Sequence, residues 1–315
     1  MSKAPQIAAV VLNWRDSPRT FTCVTALLEI PTLTHVYVVD NESTGELRRS
    51  LKDFESPSSR LSLLEFPENR GFAAGVNPAI RRALDAGATE VLVINNDAVV
   101  DGDSIDALHQ KLLSDPALGL VGPQICHPNG EVESAGGYFN PLLGMTSHAL
   151  RANTDPDFVT WACVLVRSEA LEQIGLLDED FFMYWEDVDF SVRLKSAGWK
   201  IAISTEAVAV HETSTNRKSL PVAIKAYSIW SALTFAKKHG GGWRVGRIVW
   251  LALTILANLI RGRLAMLVGI RDGLRLFREG SSPAFTSVLR AARFGTKQKK
   301  ASAGQPDIGR DRSSY

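Results

Sequence analysis

Cysteine is scarce in this 315-residue chain, and the pattern of the few that occur excludes several classes of protein. Cys23, Cys126 and Cys163 show neither the spacing of metal ligands nor a disulfide framework. A cysteine-based zinc module and a disulfide-stapled secreted domain are therefore excluded. A reducing compartment is expected, in which the three side chains act as small hydrophobic residues.

Long hydrophobic runs are also missing. The most apolar stretch without charge extends from Ile248 to Ile260 and has 13 residues, whereas a helix needs about 20 to cross a bilayer. The amino terminus leads directly into a strand-like segment, so no signal peptide is expected. Together these features predict a cytoplasmic protein whose chain does not span a membrane.

Net charge is nearly absent overall, at +1, but it is unevenly distributed along the chain. Residues 243–300 hold 12 Lys or Arg and 2 Asp or Glu, a local charge of +10, whereas residues 1–242 carry −9. A basic arm on an acidic body predicts an anionic partner. Because the arm is also apolar, a lipid surface is favoured over nucleic acid.

Apolar runs alternate with helix-like segments through the first hundred residues. The predicted strands are Ile7–Asn13, Val36–Val39, Leu61–Phe66 and Val91–Ile94, and helices are expected near 17–29, 45–54 and 77–86. This rhythm predicts an α/β fold with a doubly wound, mostly parallel sheet.

The second half of the chain is less regular. A helix is expected at 103–114, a strand at Leu118–Val121, loops or short hairpins at 122–150, a strand within Asp157–Arg167, a helix at 169–174 capped by Ser168, a helix from Glu186 to about Gly198, and strands at Lys200–Ile203 and Val208–His211. From 219 onward the pattern is helical. We therefore expect a catalytic body at 1–215 with halves at about 1–101 and 102–215, a helical extension at 216–294, and a disordered tail at 295–315.

Acidic residues follow two of the predicted strands. Asp97 ends the segment Asn95-Asn96-Asp97, and Asp40 ends the second strand. Each could be a plain turn residue. However, ligands of parallel sheets bind beyond the carboxyl ends of the strands. Asp97 is therefore a candidate ligand for Mg²⁺ or Mn²⁺ holding a diphosphate, and Asp40 a candidate contact for a nucleobase or ribose.

Two glycines lie in the connection between the third strand and its helix, in the segment Asn69–Asn77. Such a connection lets backbone N–H groups approach an anion, although a tight turn alone would also need glycine. The segment matches neither the glycine fingerprint of NAD enzymes nor a P-loop.

A second acidic cluster, Glu186-Asp187-Val188-Asp189, follows the aromatic run Phe181–Trp185. Acidic residues belong at helix amino ends, which explains Asp189. The aromatic run is unusual for a surface turn and is typical of a sugar pocket wall. We assign Asp187 as a general base that takes the proton of an acceptor hydroxyl. His211, at the end of an apolar strand, is either a packed structural residue or a second metal ligand or phosphate contact.

Several segments in this order resemble one known family. They are Val39–Ser43, Asn69–Asn77, Leu92–Asp97, Leu177–Asp189, Arg193, Ala197–Trp199 and His211. The set is similar to inverting glycosyltransferases of family 2 with the GT-A fold, on the rhamnosyltransferase-like branch. The resemblance covers residues 5–215 and implies a metal-dependent, single in-line displacement at the anomeric carbon.

The resemblance also implies roles by position: Asp187 as base, Asp97 as metal ligand, His211 as a ligand of the metal or a contact of the diphosphate, and Asp40 on the nucleotide base. The expected nucleotide-sugar contacts are Asn13, Asp40, Asn41, Ser43, Asn69, Gly71, Phe72, Gly75, Asn77, Asn95 and Asn96, and the expected acceptor contacts are Trp161, Tyr184, Trp185 and Glu186. The best expectation for the reaction is transfer of rhamnose from dTDP-rhamnose to a saccharide or lipid-linked saccharide in cell-surface polysaccharide assembly.

The chain also departs from the family's pattern. Ala74 stands where relatives often carry a third glycine, Val76 where Asn is common, and Trp161 where relatives usually have glycine. A large ring at Trp161 should reshape the acceptor side, so the acceptor's identity does not carry over.

Other functions stay open or are disfavoured on specific grounds. A UDP- or GDP-sugar donor and a catalytically degenerate sugar-nucleotide-binding protein remain alternatives. A nucleotidyltransferase would carry glycine after the first strand, where this chain reads Leu12-Asn13-Trp14-Arg15-Asp16. A processive synthase would need several membrane crossings and a Gln-x-x-Arg-Trp motif. The sequence predicts neither, so this function is disfavoured.

The basic arm predicts a second binding surface. Arg244, Arg247, Thr254, Asn258 and Arg261 recur at helical spacing on an otherwise apolar segment. We expect residues 243–278 to lie on an anionic membrane surface, which would make the protein peripheral on the inner face of the cell membrane. The alternative is that this helix packs on the catalytic domain or on a second copy of the chain in a homodimer.

Overall fold

The computed structural model describes residues 6–54, 59–140, 145–151, 155–212 and 221–280. The disordered tail expected at 295–315 lies outside the described residues.

The described part of the chain forms eleven strands and nine α-helices. The strands are β1 (Ile7–Asn13), β2 (Leu33–Asn41), β3 (Leu61–Phe66), β4 (Glu90–Asn95), β5 (Ala98–Val100), β6 (Leu118–Cys126), β7 (Val132–Ser134), β8 (Gly137–Asn140), β9 (Met145–His148), β10 (Cys163–Arg167) and β11 (Lys200–His211). The helices are α1 (Ser17–Leu28), α2 (Glu46–Leu51), α3 (Ala73–Asp85), α4 (Gly102–Leu113), α5 (Ser168–Ile174), α6 (Glu186–Ser196), α7 (Pro221–His239), α8 (Gly242–Ile260) and α9 (Leu264–Glu279).

The main sheet has the order β3-β2-β1-β4-β10-β6-β11-β5, with β7 beside β6. Strands β3, β2, β1 and β4 are parallel, as are β6 and β11. Strand β10 runs antiparallel between β4 and β6 and so joins the two halves. The predicted mostly parallel, doubly wound sheet is confirmed.

The central strands are apolar on both faces because helices cover both sides of the sheet. Along β1, Ala9 and Val11 face the layer of α1, α2 and α4, whereas Ala8 and Val10 face the layer of α3, α5 and α6. All four side chains are almost fully buried. Few polar side chains fit along these buried strands. Residues that bind ligands or react are therefore expected at the carboxyl ends of the strands.

Three local predictions differ from the structure. Helix α3 begins at Ala73, earlier than expected, and contains Pro78 as its sixth residue. Residues 200–211 form one strand with an irregular register between Ile203 and Val208. Ser168 does not cap α5, because its hydroxyl donates to the carbonyl of Ala88, 2.6 Å away.

The segment before α6 docks onto the start of α3 at Gly71. The N–H of Phe72 donates to the carbonyl of Phe182 over 2.8 Å. Gly71 has a φ of +87°, and a β-carbon there would overlap that same carbonyl. Gly71 is therefore required both by its backbone conformation and by the close approach of the two segments.

The helices beyond residue 220 pack on the body to different extents. The side chains of Tyr227 and Phe235 on α7 are fully buried against it. Helix α9 crosses α7 closely at Gly269 and Gly273, where β-carbons would meet the carbonyls of Val222 and Ala226 at 2.7 and 2.5 Å. Helix α7 is thus part of the folded body, although the boundary placed at residue 215 stays a prediction.

Helix α8 has two contrasting sides. Arg247 near its start is 1% exposed and lies over the rings of Trp185 and Trp250, with its guanidinium carbon 4.2 and 4.7 Å from their centroids. The expectation that the arm lies on a membrane surface is therefore wrong for Arg247, which packs on the catalytic domain as in the alternative. On the other side, large apolar residues are exposed at Ile248, Leu253, Leu256, Leu259 and Ile260.

By length and composition alone, α8 is the one helix among the described residues that could cross a membrane. Its 19 residues include Arg244 and Arg247 in addition to the uncharged run. The 13-residue uncharged run therefore underestimated the length of this apolar helix.

Replacing Gly71 with Ala should destabilise the fold more than the same change at Gly130. Both glycines have positive φ, +87° and +85°, but a β-carbon at Gly130 would meet nothing within 4 Å. We expect Gly130→Ala to lower the free energy of unfolding by about 1 kcal/mol through backbone strain, and Gly71→Ala by about 1–3 kcal/mol more through overpacking. Urea unfolding of both variants measures the difference, and equal losses would contradict the docking role of Gly71.

Candidate active site

A cavity of about 340 Å³ opens at the carboxyl ends of β1 and β4. Its lining includes the ends of β1, β4 and β11, the glycine-bearing connection before α3, and the start of α6. Helix α7 closes one side with Ala223, Ile224 and Tyr227. The cavity therefore lies where the topology of a parallel sheet predicts a ligand site.

In the wall of the cavity His211 lies between two carboxylates. Its Nε2 is 3.2 Å from Oδ1 of Asp97, and its Nδ1 is 2.8 Å from Oε2 of Glu133. Burial opposes a charge on the imidazole, but these carboxylates outweigh it and raise the pKa of His211. Without another ligand, the site therefore favours the protonated imidazole of His211.

The strand pairing explains how Asp97 and His211 meet. Strand β5 begins directly after Asp97 and pairs antiparallel with the end of β11, where Ala98 lies opposite His211. The N–H of Glu212 also donates to the carbonyl of Asp97 over 2.8 Å. Two residues far apart in the sequence are thus held together by backbone hydrogen bonds.

Asp97 and His211 fit a divalent cation. The Nε2 of His211 is buried and makes no hydrogen bond with good geometry, so it lacks a satisfying partner in the protein. Its 3.2 Å separation from the Asp97 oxygen is close to the about 3 Å between neighbouring ligands of an octahedral ion with bonds of about 2.1 Å. Among the described residues no group of three or more His, Cys, Asp or Glu could hold a metal by itself.

Asp187 faces the same cavity from the start of α6. Its Oδ1 accepts a hydrogen bond from the N–H of Val188 over 2.8 Å. Burial raises the pKa of Asp187 to about 6, against the opposing effect of the backbone N–H groups. A carboxyl group with this pKa is ionised at neutral pH and is a stronger proton acceptor than an ordinary aspartate, which suits a general base.

Asp189, two residues later, has the opposite environment. Its carboxylate accepts from Nε of Arg193 and lies against Nε2 of His239, both at 2.8 Å. Burial opposes ionisation, but His239 and Arg193 outweigh it and hold the pKa of Asp189 below its usual range. Neighbouring acids whose pKa values are pushed apart typically have different roles. Asp189 has a structural role, because its ion pairs join α6 to α7.

The residues before Asp187 adopt strained backbone conformations. Tyr184 and Trp185 have φ values of 69° and 72°, which are uncommon for side chains of this size. The carbonyl of Met183 accepts from Ser231 over 2.8 Å, and the ring of Phe182 stacks on Tyr227 with centroids 4.8 Å apart. Contacts from α7 thus hold the strained segment in place.

The structure brings many of the predicted site residues to the cavity. Those lining it are Asn41, Asn69, Gly71, Phe72, Asn95, Asn96, Asp97, Trp161, Tyr184, Glu186, Asp187 and His211. The predicted residues outside its lining are Asn13, Asp40, Ser43, Gly75, Asn77 and Trp185.

Several predicted nucleotide contacts hydrogen-bond within the protein. Asp40 is buried and accepts from the amide of Asn13 over 2.7 Å. The amide of Asn41 donates to Asn69 and to the carbonyl of Gly71, at 3.0 and 2.9 Å. These contacts shape the connection before α3, and the predicted contacts of these residues with the donor stay predictions.

Four further predicted contacts also interact with other parts of the protein. The amide of Asn77 donates to the carbonyl of Leu177 over 2.8 Å, and the hydroxyl of Ser43 donates to Glu65 over 2.8 Å. The amide of Asn96 donates to Thr20 over 2.8 Å. A β-carbon at Gly75 would overlap Leu12. These residues join neighbouring elements around the cavity.

Sequence reasoning missed several residues of the cavity wall. Glu133, Ser134 and His148 come from the irregular region 122–150, where β7 and β9 form, and Tyr227 comes from the predicted extension. A lone acidic residue in a loop-like region gives no periodic signal. The apolar pattern of α7 could be recognised in the sequence. It did not show which surface of the catalytic body α7 would cover.

Comparison with known proteins identifies relatives of the chain. Residues 5–231 match the family described as glycosyltransferase like family 2. The N-acetylglucosaminyl-diphospho-decaprenol L-rhamnosyltransferase of Mycobacterium tuberculosis is 30% identical over 239 residues, which cover 66% of this chain and 76% of that protein. A low-salt glycan biosynthesis hexosyltransferase of Haloferax volcanii is 25% identical over 70% of this chain and 73% of its own length.

A solved structure shares the fold. A mannosyltransferase from Pyrobaculum calidifontis, in complex with GDP-Man and Mn²⁺, aligns with a TM-score of 0.56 at 19% identity, covering 95% of this chain and 81% of that one. At this identity the likeness shows the fold alone. The GT-A architecture implied by the sequence resemblance is thereby confirmed.

Replacing Asp187 with Asn should stabilise the protein at neutral pH. Because the folded pKa is raised to about 6, the unfolded chain ionises first as pH rises. The wild type therefore loses stability between about pH 4 and 6, and this loss persists above that window. We expect Asp187→Asn to raise the free energy of unfolding by about 1–3 kcal/mol at pH 7.5 and by little at pH 4.

Urea unfolding at several pH values measures this difference. Asp106→Asn, at an exposed position of α4, is the matched control and should show no such dependence on pH. A constant difference between Asp187→Asn and the wild type would refute the raised pKa.

Proposed function

This chain belongs to glycosyltransferase family 2, and we propose that it transfers a sugar from a nucleotide donor to a saccharide acceptor with inversion at the anomeric carbon. The observation that carries the proposal is one cavity that Asp97, His211 and Asp187 all line. This arrangement brings groups suited to an anionic leaving group and a carboxylate suited to proton removal into the same site.

The proposed reaction is one displacement. An acceptor hydroxyl attacks the anomeric carbon of the donor, and its proton passes to the carboxylate of Asp187. The new carbon–oxygen bond forms as the bond to the diphosphate breaks, and the nucleoside diphosphate leaves with the electron pair. The raised pKa of Asp187 supports its role as base, because a stronger base is a better proton acceptor in the transition state.

Asp97 and His211 would hold a divalent cation, Mg²⁺ or Mn²⁺. When bound, such an ion neutralises charge on the leaving diphosphate. The unsatisfied Nε2 of His211 and its spacing from Asp97 support this assignment. Two protein ligands give a weak site by themselves, so we infer that the ion binds together with the donor.

Rhamnose from dTDP-rhamnose is the donor that we propose. The name of the Mycobacterium tuberculosis relative, an L-rhamnosyltransferase, supports the sugar. The Haloferax volcanii relative is named only as a hexosyltransferase, which keeps UDP- and GDP-sugars as alternatives.

A lipid-linked saccharide is the acceptor that we propose, in the assembly of a cell-surface polysaccharide. The diphospho-decaprenol in the name of the Mycobacterium tuberculosis relative supports a lipid carrier. Trp161 and Tyr184 line the cavity together with Asp187. Aromatic side chains so close to the proposed base suit a sugar ring.

We also propose that α8 meets the inner face of the cell membrane. Its exposed face carries Ile248, Leu256 and Ile260, and exposed arginines follow at Arg261 and Arg263. An apolar helix face beside positive charge complements an anionic lipid surface. A second copy of the chain on this face is the alternative occupant.

Replacing Asp187 with Asn should abolish transfer and leave donor binding largely intact. Asn cannot take up the acceptor's proton, so turnover should fall by about 10²–10⁴-fold. Release of nucleoside diphosphate in the presence of acceptor measures turnover, and calorimetry measures donor binding.

Asp106→Asn is the control, with unchanged turnover expected. Unchanged turnover in Asp187→Asn would remove Asp187 from the mechanism. A wild-type protein that binds donor but transfers nothing would instead support the catalytically degenerate alternative.

Replacing Leu256 with Glu should weaken binding to vesicles. Burial of one leucine contributes about 1.5–3 kcal/mol, and the added negative charge is repelled by anionic lipid, so we expect at least about a tenfold loss of affinity for phosphatidylglycerol vesicles. Flotation of the full chain with the vesicles measures the bound fraction.

Leu113→Glu is the matched control, because Leu113 on α4 and Leu256 are both 53% exposed. The control should float like the wild type. Equal flotation of the two variants would contradict a membrane-facing α8, and a loss of self-association in Leu256→Glu alone would support the dimer instead.

A further inference from the structure

We propose that Glu133 is a positioning residue for the metal site: its carboxylate orients His211 and selects the form of the ring that can bind a cation. The inference rests on the proposed function, since it takes Asp97 and His211 as the protein ligands of the ion. Neither the sequence pattern nor the named relatives assign a role to Glu133.

The contact between Glu133 and His211 is short and shielded. Oε2 of Glu133 lies 2.8 Å from Nδ1 of His211, and the His211 side chain is only 4% exposed. A ring so enclosed has little access to water as an alternative partner. The orientation of the imidazole therefore depends on the groups at its two nitrogens.

The chemistry of the imidazole makes this contact directional. A carboxylate only accepts hydrogen bonds, so Nδ1 of His211 must carry a proton to bond with Glu133. In the neutral ring, a proton on Nδ1 leaves the lone pair on Nε2. That lone pair faces Asp97, 3.2 Å away. Glu133 thus favours the tautomer of His211 that can coordinate a metal ion there.

The fold fixes Glu133 in this position. Strand β7 pairs antiparallel with the end of β6, where Ser134 lies opposite Ile125. Strand β6 pairs in parallel with β11, where Ile125 lies opposite Ala209, two residues before His211. The hairpin between β6 and β7 therefore places the backbone of Glu133 beside the end of β11, within reach of His211.

A purely structural ion pair is the competing explanation. It would contribute to stability but would not change metal affinity beyond the effect of unfolding. An orienting role predicts a change in metal affinity in a protein that is still folded. Partners that orient metal-binding histidines typically contribute about 10–100-fold to metal affinity.

The test is a titration of the full chain with Mn²⁺ in the presence of dTDP, with free Mn²⁺ followed by electron paramagnetic resonance. We expect Glu133→Ala to weaken Mn²⁺ binding by about 10–100-fold. Glu133→Gln should lose less Mn²⁺ affinity than Glu133→Ala, because the side-chain carbonyl of Gln can still accept a hydrogen bond from Nδ1. It should still bind Mn²⁺ more weakly than the wild type, because that carbonyl carries no charge. Glu131→Gln, at an exposed position of the same hairpin, is the matched control and should bind like the wild type.

Nitrogen NMR of histidine-labelled protein without metal gives a second readout. The signals of His211, identified by their absence from His211→Asn, should show a protonated Nδ1 in the wild type and a changed protonation pattern in Glu133→Ala. This measurement does not need catalysis or metal and distinguishes orientation of the ring from general stability.

The outcomes separate this inference from the proposed function. If Glu133→Ala and Glu133→Gln bind Mn²⁺ like the wild type while Asp97→Asn loses binding, the role of Glu133 is overturned and the metal site stands. If the wild type binds no Mn²⁺ with dTDP, the metal assignment fails, and this inference fails with it. Weakened binding in folded Glu133→Ala with an unchanged Glu131→Gln supports the inference.

Discussion

The approach of Phe182 to Gly71 is the constraint on which the rest of the site depends. The hydrogen bond from the Phe72 N–H to the Phe182 carbonyl, 2.8 Å long, joins the connection before α3 to the segment before α6. Only a residue without a β-carbon fits at Gly71. The first of these segments belongs to the half of the sheet expected to bind the nucleotide, and the second leads to Asp187. Their contact therefore sets the distance between the proposed donor and the proposed base.

The surroundings of His211 and of Asp187 differ in the charges that the protein places beside them. His211 lies between Asp97 and Glu133, so opposite charges are held close together and a cation is favoured there. Burial outweighs the backbone N–H groups at Asp187, and its pKa is raised. The protein thus places a cation-friendly site and a basic carboxylate in one cavity. Asp189, on the same helix as Asp187, is paired with Arg193 of α6 and His239 of α7, which hold its pKa low.

The sequence predicted the sheet well because its signal is strong and local. The buried run of β4 and the acidic end at Asp97 were both readable, since a strand apolar on both faces has little other explanation. The pairing of Asp97 with His211 was implied only by resemblance, because it depends on the register between β5 and β11. Glu133 was unreadable for the same reason: its place is set by the pairing of β7 with β6, and strand register between distant segments leaves no periodic pattern.

The prediction for Arg247 was wrong for an instructive physical reason. Helical spacing shows which residues share a face, but not whether that face meets solvent or protein. Arg247 stacks on Trp185, directly before the acidic pair Glu186-Asp187, with its guanidinium carbon 4.2 Å from the ring centroid. Burial lowers the pKa of Arg247 to about 10, which still leaves it charged at neutral pH. Helix α8 therefore backs the segment that carries the proposed base while exposing an apolar face on its other side. If that face meets lipid as proposed, contact with the membrane and the position of the base are linked through a single helix.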